Sequence, residues 1–208
     1  MLRLTEIRLP LDHDDAALRG AILVRLGIED GDLHRFSVFR RAADARRKSA
    51  IVLSYTADVE VADEAGLLAR LAGDPRIRPT PDLAYRPVAV RSAPKHRPVV
   101  IGTGPCGLFA ALILAQAGLR PIILERGRVV RERTKDTWGL WRRGVLDPES
   151  NVQFGEGGAG TFSDGKLYSQ IGDPNHLGRK VLTEFVAAGA PEEILWLAHP
   201  HIGTFRLV

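Results

Sequence analysis

From Leu2 to Leu9 the chain reads Leu-Arg-Leu-Thr-Glu-Ile-Arg-Leu, an apolar–polar alternation that predicts a half-buried strand. Asp14 and Asp15 then precede Ala16–Leu26, where Leu18, Ile22 and Leu26 stand four apart on one face of a predicted helix. Strand-like runs follow at His34–Arg41 and Ser49–Val61. Asp63 and Glu64 open a short second helix with Leu67, Leu68 and Leu71 on one side, and Gly73-Asp74-Pro75 ends it. With a last strand near Ile77 or Ala84, the order β-α-β-β-α-β suits a small α+β, ferredoxin-like domain over residues 1–90.

Arg86–Pro98 holds three prolines and five Lys, Arg or His residues, and reads as connecting chain, with the linker proper at 91–98. Beyond it the pattern changes. A strand at Val99–Ile101, a helix at Pro105–Ala117, a turn at Gly118 and a strand at Pro121–Glu125 predict a parallel β-α-β unit. Both strands are short apolar runs and the helix is apolar at almost every position, which predicts burial on all sides. Residues 99–208 are thus expected to be the first part of an α/β, Rossmann-like domain.

Composition narrows the classes. The chain is 45% hydrophobic and 26% charged, ordinary for a globular protein, with a net charge of +4. Residues 1–90 carry 14 Lys/Arg against 14 Asp/Glu, so the excess sits in residues 91–208 (15 against 11). That places it around the glycine-rich segments, where an anionic ligand accounts for it as well as nucleic acid does. Cys106 is the single cysteine, which excludes a disulfide framework and a cysteine-based zinc site; packing inside its glycine turn is the expected role. Gly107–Leu124 is interrupted by Gln116, Gly118, Arg120 and Pro121, too broken for a span of about 20 apolar residues. The N-terminus lacks an apolar signal region, and a cytoplasmic location with no membrane partner is expected.

The chemistry centres on Val99–Gly107, Val-Val-Ile-Gly-Thr-Gly-Pro-Cys-Gly. Gly102, Gly104 and Gly107 have the G-x-G-x-x-G spacing of a dinucleotide-binding turn. The first allows the tight turn, the second a close approach of pyrophosphate, and the third the packing of helix on strand. Pro105 opens the helix, whose positive N-terminus suits phosphate. Glu125 lies 23 residues after Gly102, near the offset of about 20 expected for an acid binding ribose hydroxyls. The spacing alone leaves NAD, NADP and FAD open.

Asn151–Leu167 is the second informative stretch, with five glycines between 155 and 165 interleaved with Glu156, Thr161, Ser163 and Asp164. Such a loop offers backbone N–H groups and hydroxyls with little bulk, and is expected to close over a cofactor held at Gly102–Gly107. Gly160–Lys166 approaches a P-loop, but Leu167 stands where a Ser/Thr hydroxyl would bind magnesium, so an NTPase reading fails.

Gly-Thr-Gly-Pro-Cys-Gly-Leu-Phe-Ala-Ala (102–111), Leu-Glu-Arg-Gly (124–127), the 151–167 segment and Pro-His-Ile-Gly-Thr (200–204) together resemble an uncharacterised family of bacterial FAD-dependent dehydrogenases. The preceding region, with Arg41–Lys48, is similar to that family's N-terminal extension. The resemblance implies FAD as cofactor and a flavoprotein oxidoreductase acting on a small-molecule substrate it does not specify. It places Gly102, Gly104 and Gly107 around the pyrophosphate, Glu125 on the adenosine ribose and Arg126 beside the adenine or a phosphate. Gly157, Gly158, Gly160, Thr161 and Ser163 would run beside the flavin, and Lys166 is a candidate to neutralise charge on reduced flavin. Family members are far longer, and Phe205 stands where an acidic residue is expected. The chain is therefore expected to be a C-terminally truncated member with the front half of the cofactor domain.

Three other constellations carry less. His199-Pro200-His201 lacks a neighbouring carboxylate or cysteine and makes a poor metal site. Trp138 and Trp141 share a face of a helix near Arg131–Arg143, where core or partner packing is expected and flavin stacking is the alternative. Arg40, Arg41, Arg46, Arg47 and Lys48 form a basic cluster, but a neutral residue 1–90 balance and no RNP-type aromatic pair argue against RNA binding. An inactive interaction remnant is the other alternative to an oxidoreductase.

Overall fold

The computed structural model describes residues 1–90, 92, 94–169 and 171–203; Thr204 and Phe205 lie outside the described residues. The chain is mixed α/β and folds as two units. One joins Met1–Ala84 with Leu167–Pro200, and the other joins Tyr85–Lys166 with the segment from His201.

In the first unit, β1 (Leu2–Pro10), α1 (Ala17–Leu26), β2 (Leu33–Asp44), β3 (Val52–Val61), α2 (Glu64–Arg70) and β4 (Ile77–Pro79) follow one another. They build an antiparallel sheet in the order β2-β3-β1-β4. Leu2, Leu4, Ala57 and Val59 face Leu18, Ile22, Leu26 and Leu67 in one apolar core. Strict alternation along β1 would turn Ile7 and Leu9 away from Leu2 and Leu4. A bulge between Leu4 and Ile7, with Glu6 at φ +57°, restores them to the core. Asp14, just before the first helix, accepts from the Ala17 N–H at 2.7 Å, and Asp63 is the N-cap of the second, accepting from the Gly66 N–H at 2.8 Å.

The other sheet face carries Arg3 and Phe39, and Leu167–Pro200 packs on this unit. After α5 (Leu177–Ala187) and a 3-10 turn at Glu192–Leu195, the chain runs parallel to the edge strand β2. The Arg41 N–H donates to the Trp196 carbonyl at 2.7 Å, and the Ala198 N–H donates to the Arg41 carbonyl at 2.9 Å. The guanidinium of Arg41 lies 4.5 Å from the Trp196 ring, and that of Arg179 lies 4.8 Å from Phe39.

The second unit contains β5 (Val99–Ile101), α3 (Pro105–Gln116), β6 (Ile122–Leu124) and α4 (Val130–Arg143). β5 and β6 pair in parallel, Val99 opposite Ile122 and Ile101 opposite Leu124. The expected all-round burial does not hold: Ile101 is 85% exposed, all of β6 is exposed, and Ala111 is the one buried residue of α3. One helix on a two-stranded sheet supplies too little surface to cover apolar runs on both faces. Among the described residues no helix is long and apolar enough to cross a membrane.

Candidate functional site

The end of β5 turns sharply into α3. Gly102 has φ +95°, and its N–H donates to the Leu124 carbonyl at 2.7 Å, extending the strand pairing into the turn. A Cβ on Gly107 would collide with the Gly102 carbonyl oxygen, so only glycine lets the helix start this close to the turn. Gly104 is the N-cap in extended conformation, with Pro105 as the first helical residue and no side chain capping the helix.

Glu125 follows β6 and reaches back to this turn. Its Oε2 accepts from the Thr103 N–H at 2.7 Å and the Thr103 hydroxyl at 2.8 Å, while Oε1 accepts from the Gly127 N–H at 2.8 Å. Burial pushes the carboxyl up, but hydrogen bonds from Gly127, Thr103 and Gly155 outweigh it and hold it at about 2. Arg126, next in sequence, points elsewhere: it forms two hydrogen bonds to Glu149, and its guanidinium lies 4.5 Å from the Phe154 ring.

The glycine-rich segment lies on the turn. The Gly157 N–H donates to the Thr103 carbonyl at 2.9 Å, and a Cβ on Gly158 would come within 2.8 Å of Gly104 Cα. Gly160 lies beside Pro105, close enough that a Cβ there would sit 3.4 Å from the proline Cγ. A 3-10 turn over Gly158–Phe162 shapes this part. The segment is also fastened to α4, because the Glu156 carboxylate accepts from the Val130 N–H at 2.8 Å and supplies the cap that Val129 lacks. The Asn151 Oδ1 folds the other end, accepting from the N–H groups of Gln153 and Phe154.

Beneath the segment lies Arg133, fully buried. Its guanidinium donates to the carbonyls of Asn151 (2.8 Å), Val152 (2.7 Å) and Glu156 (2.5 Å), and to the Thr161 hydroxyl (3.2 Å). Thr161 is itself buried and donates to the Glu156 carbonyl at 3.0 Å. Burial lowers the Arg133 pKa, with the charge of Glu125 acting in the opposite sense.

The structure thus gathers Gly102, Gly104, Pro105, Gly107, Glu125, Gly157, Gly158 and Gly160 in one place. Thr161 is turned inward to the loop's own framework. Ser163 accepts from the Gly165 N–H at 3.1 Å, and Lys166 pairs with Asp164 at 2.8 Å, both of the pair 58% exposed. Cys106 is exposed, contrary to the packing role expected for it. Trp138 and Trp141 stack edge-to-face at 5.5 Å but are 45% and 55% exposed, and Trp141 meets Phe162 at 5.9 Å. His199 stacks on Tyr168, and no metal-binding group of His, Cys, Asp or Glu occurs among the described residues. In the basic cluster, Arg46 is paired with Asp44 and Arg41 stacks on Trp196. Thr103 and Arg133, which motif spacing did not single out, shape this region, and Glu156, named only for its place among the glycines, caps α4.

Residues 96–138, from before β5 into α4, match the family model described as FAD binding domain, and the match indicates FAD binding. Residues 1–60 match a domain of unknown function (DUF8436). Over 210 residues the chain is 40% identical to an uncharacterized protein of Clostridium beijerinckii (strain ATCC 51743 / NCIMB 8052). That similarity covers 98% of this chain but 38% of the relative, so the chain spans well under half of the relative's length.

Proposed function

We propose that the second unit is the front part of a Rossmann-like FAD domain in a dehydrogenase-type oxidoreductase acting on a small molecule, preceded by a ferredoxin-like domain. The observation that carries this reading is the Gly102–Gly107 turn, with its Gly107 contact and side-chain-free helix start, inside the segment that matches FAD binding domains. The residues fit the group. Gly102, Gly104, Pro105 and Gly107 would hold the pyrophosphate against the helix start, where a side chain would obstruct it. Glu125 would take a ribose hydroxyl by giving up one of its present N–H or O–H donors, since its two oxygens already accept from Thr103, Gly127 and Gly155. Gly157, Gly158 and Gly160 would cover the phosphates, and Lys166 with Ser163 would lie further along the same segment.

Bound FAD would supply hydride and electron transfer, and the protein would contribute position, electrostatics and exclusion of water. The test is the absorption spectrum of the purified chain, followed by calorimetric titration with FAD. The bands of oxidised flavin, or saturable FAD uptake lost in Gly107→Val, are expected. A colourless protein that takes up no added FAD overturns the reading.

A further inference from the structure

We propose that Arg133 is the positioning residue of the cofactor site: it sets the shape of the 151–162 segment so that Gly157 and Gly158 rest on the phosphate turn. The inference deepens the FAD reading and depends on it for the ligand. Four donor–acceptor contacts run from one guanidinium to Asn151, Val152, Glu156 and Thr161, which span the segment from its first residue to its 3-10 turn. Those acceptors are neutral oxygens. A buried cation with no carboxylate paired to it is costly, so apolar packing does not explain an arginine here. A planar fork bonded to four separated oxygens does explain it, because it fixes where those carbonyls point.

The consequence passes through two further contacts. Glu156, held through its carbonyl by Arg133, precedes Gly157, whose N–H reaches the Thr103 carbonyl. Gly155 approaches Arg133 so closely that a Cβ there would strike the arginine Cδ, at φ +120°. Each guanidinium nitrogen donates within the segment, and Arg133 acts on a ligand through the backbone it arranges.

The test uses the whole chain and its Arg133→Lys and Thr161→Val variants. Hydrogen exchange without ligand reads the segment, and calorimetry with FAD, ADP and AMP reads the site. In Arg133→Lys, which keeps the charge but loses the fork, amides of 151–162 exchange faster while those of β1–β3 are unchanged. FAD and ADP, which carry the pyrophosphate, weaken together by about tenfold or more, and AMP changes by less than about twofold. Thr161→Val removes one acceptor and gives the same pattern at about threefold, which keeps the test informative should the lysine variant not fold. Wild-type exchange at 151–162 in both variants, or equal weakening of ADP and AMP, overturns the proposal. If the wild-type chain binds neither FAD nor ADP, the FAD reading falls, and the exchange data alone decide whether Arg133 anchors the segment.

Discussion

Thr103 offers both its backbone N–H and its hydroxyl to a single oxygen of Glu125, at 2.7 and 2.8 Å, and so joins the Gly102–Gly107 turn to the residue that follows β6. The carboxylate is held at about 2 against an ordinary value of 4.5. A carboxyl whose pKa is depressed on folding stabilises the fold above its unfolded value, and that contribution is lost as pH falls through the folded value. A shift of that size corresponds to about 3 kcal/mol before solvent screening, which reduces it for a partly exposed carboxylate. Thermal unfolding of wild type and Glu125→Gln should therefore differ most above pH 5 and converge between about pH 5 and 2. A difference that stays constant over that range would show that the carboxylate charge contributes nothing to the turn.

Two glycine-to-alanine changes should act in opposite directions. Gly107→Ala drives a methyl into the Gly102 carbonyl and should cost about 1–3 kcal/mol while weakening FAD uptake. Gly20 lies in α1, exposed, with nothing within 4 Å of an added Cβ. Gly20→Ala should stabilise by about 0.5–1 kcal/mol through helix propensity and leave FAD binding unchanged. Urea unfolding and FAD titration of the two variants check both signs.

Parts of this architecture are legible in the sequence because they follow from nearest-neighbour chemistry. Leu18, Ile22 and Leu26 declare a helix face, and Gly102, Gly104 and Gly107 declare a turn that no other residue can make so tightly. Arg133 is not legible. In Val-Arg-Glu-Arg-Thr-Lys-Asp it stands among charged residues that read as a solvated helix, and only the return of residues 151–161 makes its position an interior one. The exposure of β5 and β6 was likewise hidden, since an apolar run shows what a strand would bury and not what is present to cover it. The placement of Leu167–Pro200 with the first unit depends on the Arg41–Trp196 pairing, across a separation that periodicity cannot sense.

Arg3 and Asp58 form a buried bidentate pair at 2.7 and 2.8 Å, with the Thr80 hydroxyl donating to Asp58 at 3.3 Å and Phe39 under the guanidinium at 3.6 Å. Asp58→Asn would leave a buried cation without its counter-charge and should cost about 3–5 kcal/mol. The Arg3→Met, Asp58→Leu double variant removes both charges and should recover most of that loss. Urea unfolding followed by far-UV circular dichroism measures each. A double variant no more stable than Asp58→Asn would refute this assignment of the cost.

The pairing of residues 196–198 with β2 makes a prediction about the first unit that no local motif contains. The Ala198 N–H donates to the Arg41 carbonyl, and the Arg41 N–H donates to Trp196. Ala198→Pro removes the first donor and restrains the chain beside the second. One lost hydrogen bond is worth about 1 kcal/mol, so the Arg41 amide should exchange roughly fivefold faster. Amides of β1 paired with β3 should keep their rates, because that ladder does not depend on the added segment. If the Arg41 amide exchanges no faster in the proline variant, residues 167–200 do not hold to the β2 edge through this pair. Faster exchange confined to β2 would show that the segment from Leu167 closes the edge of a sheet begun more than a hundred residues earlier.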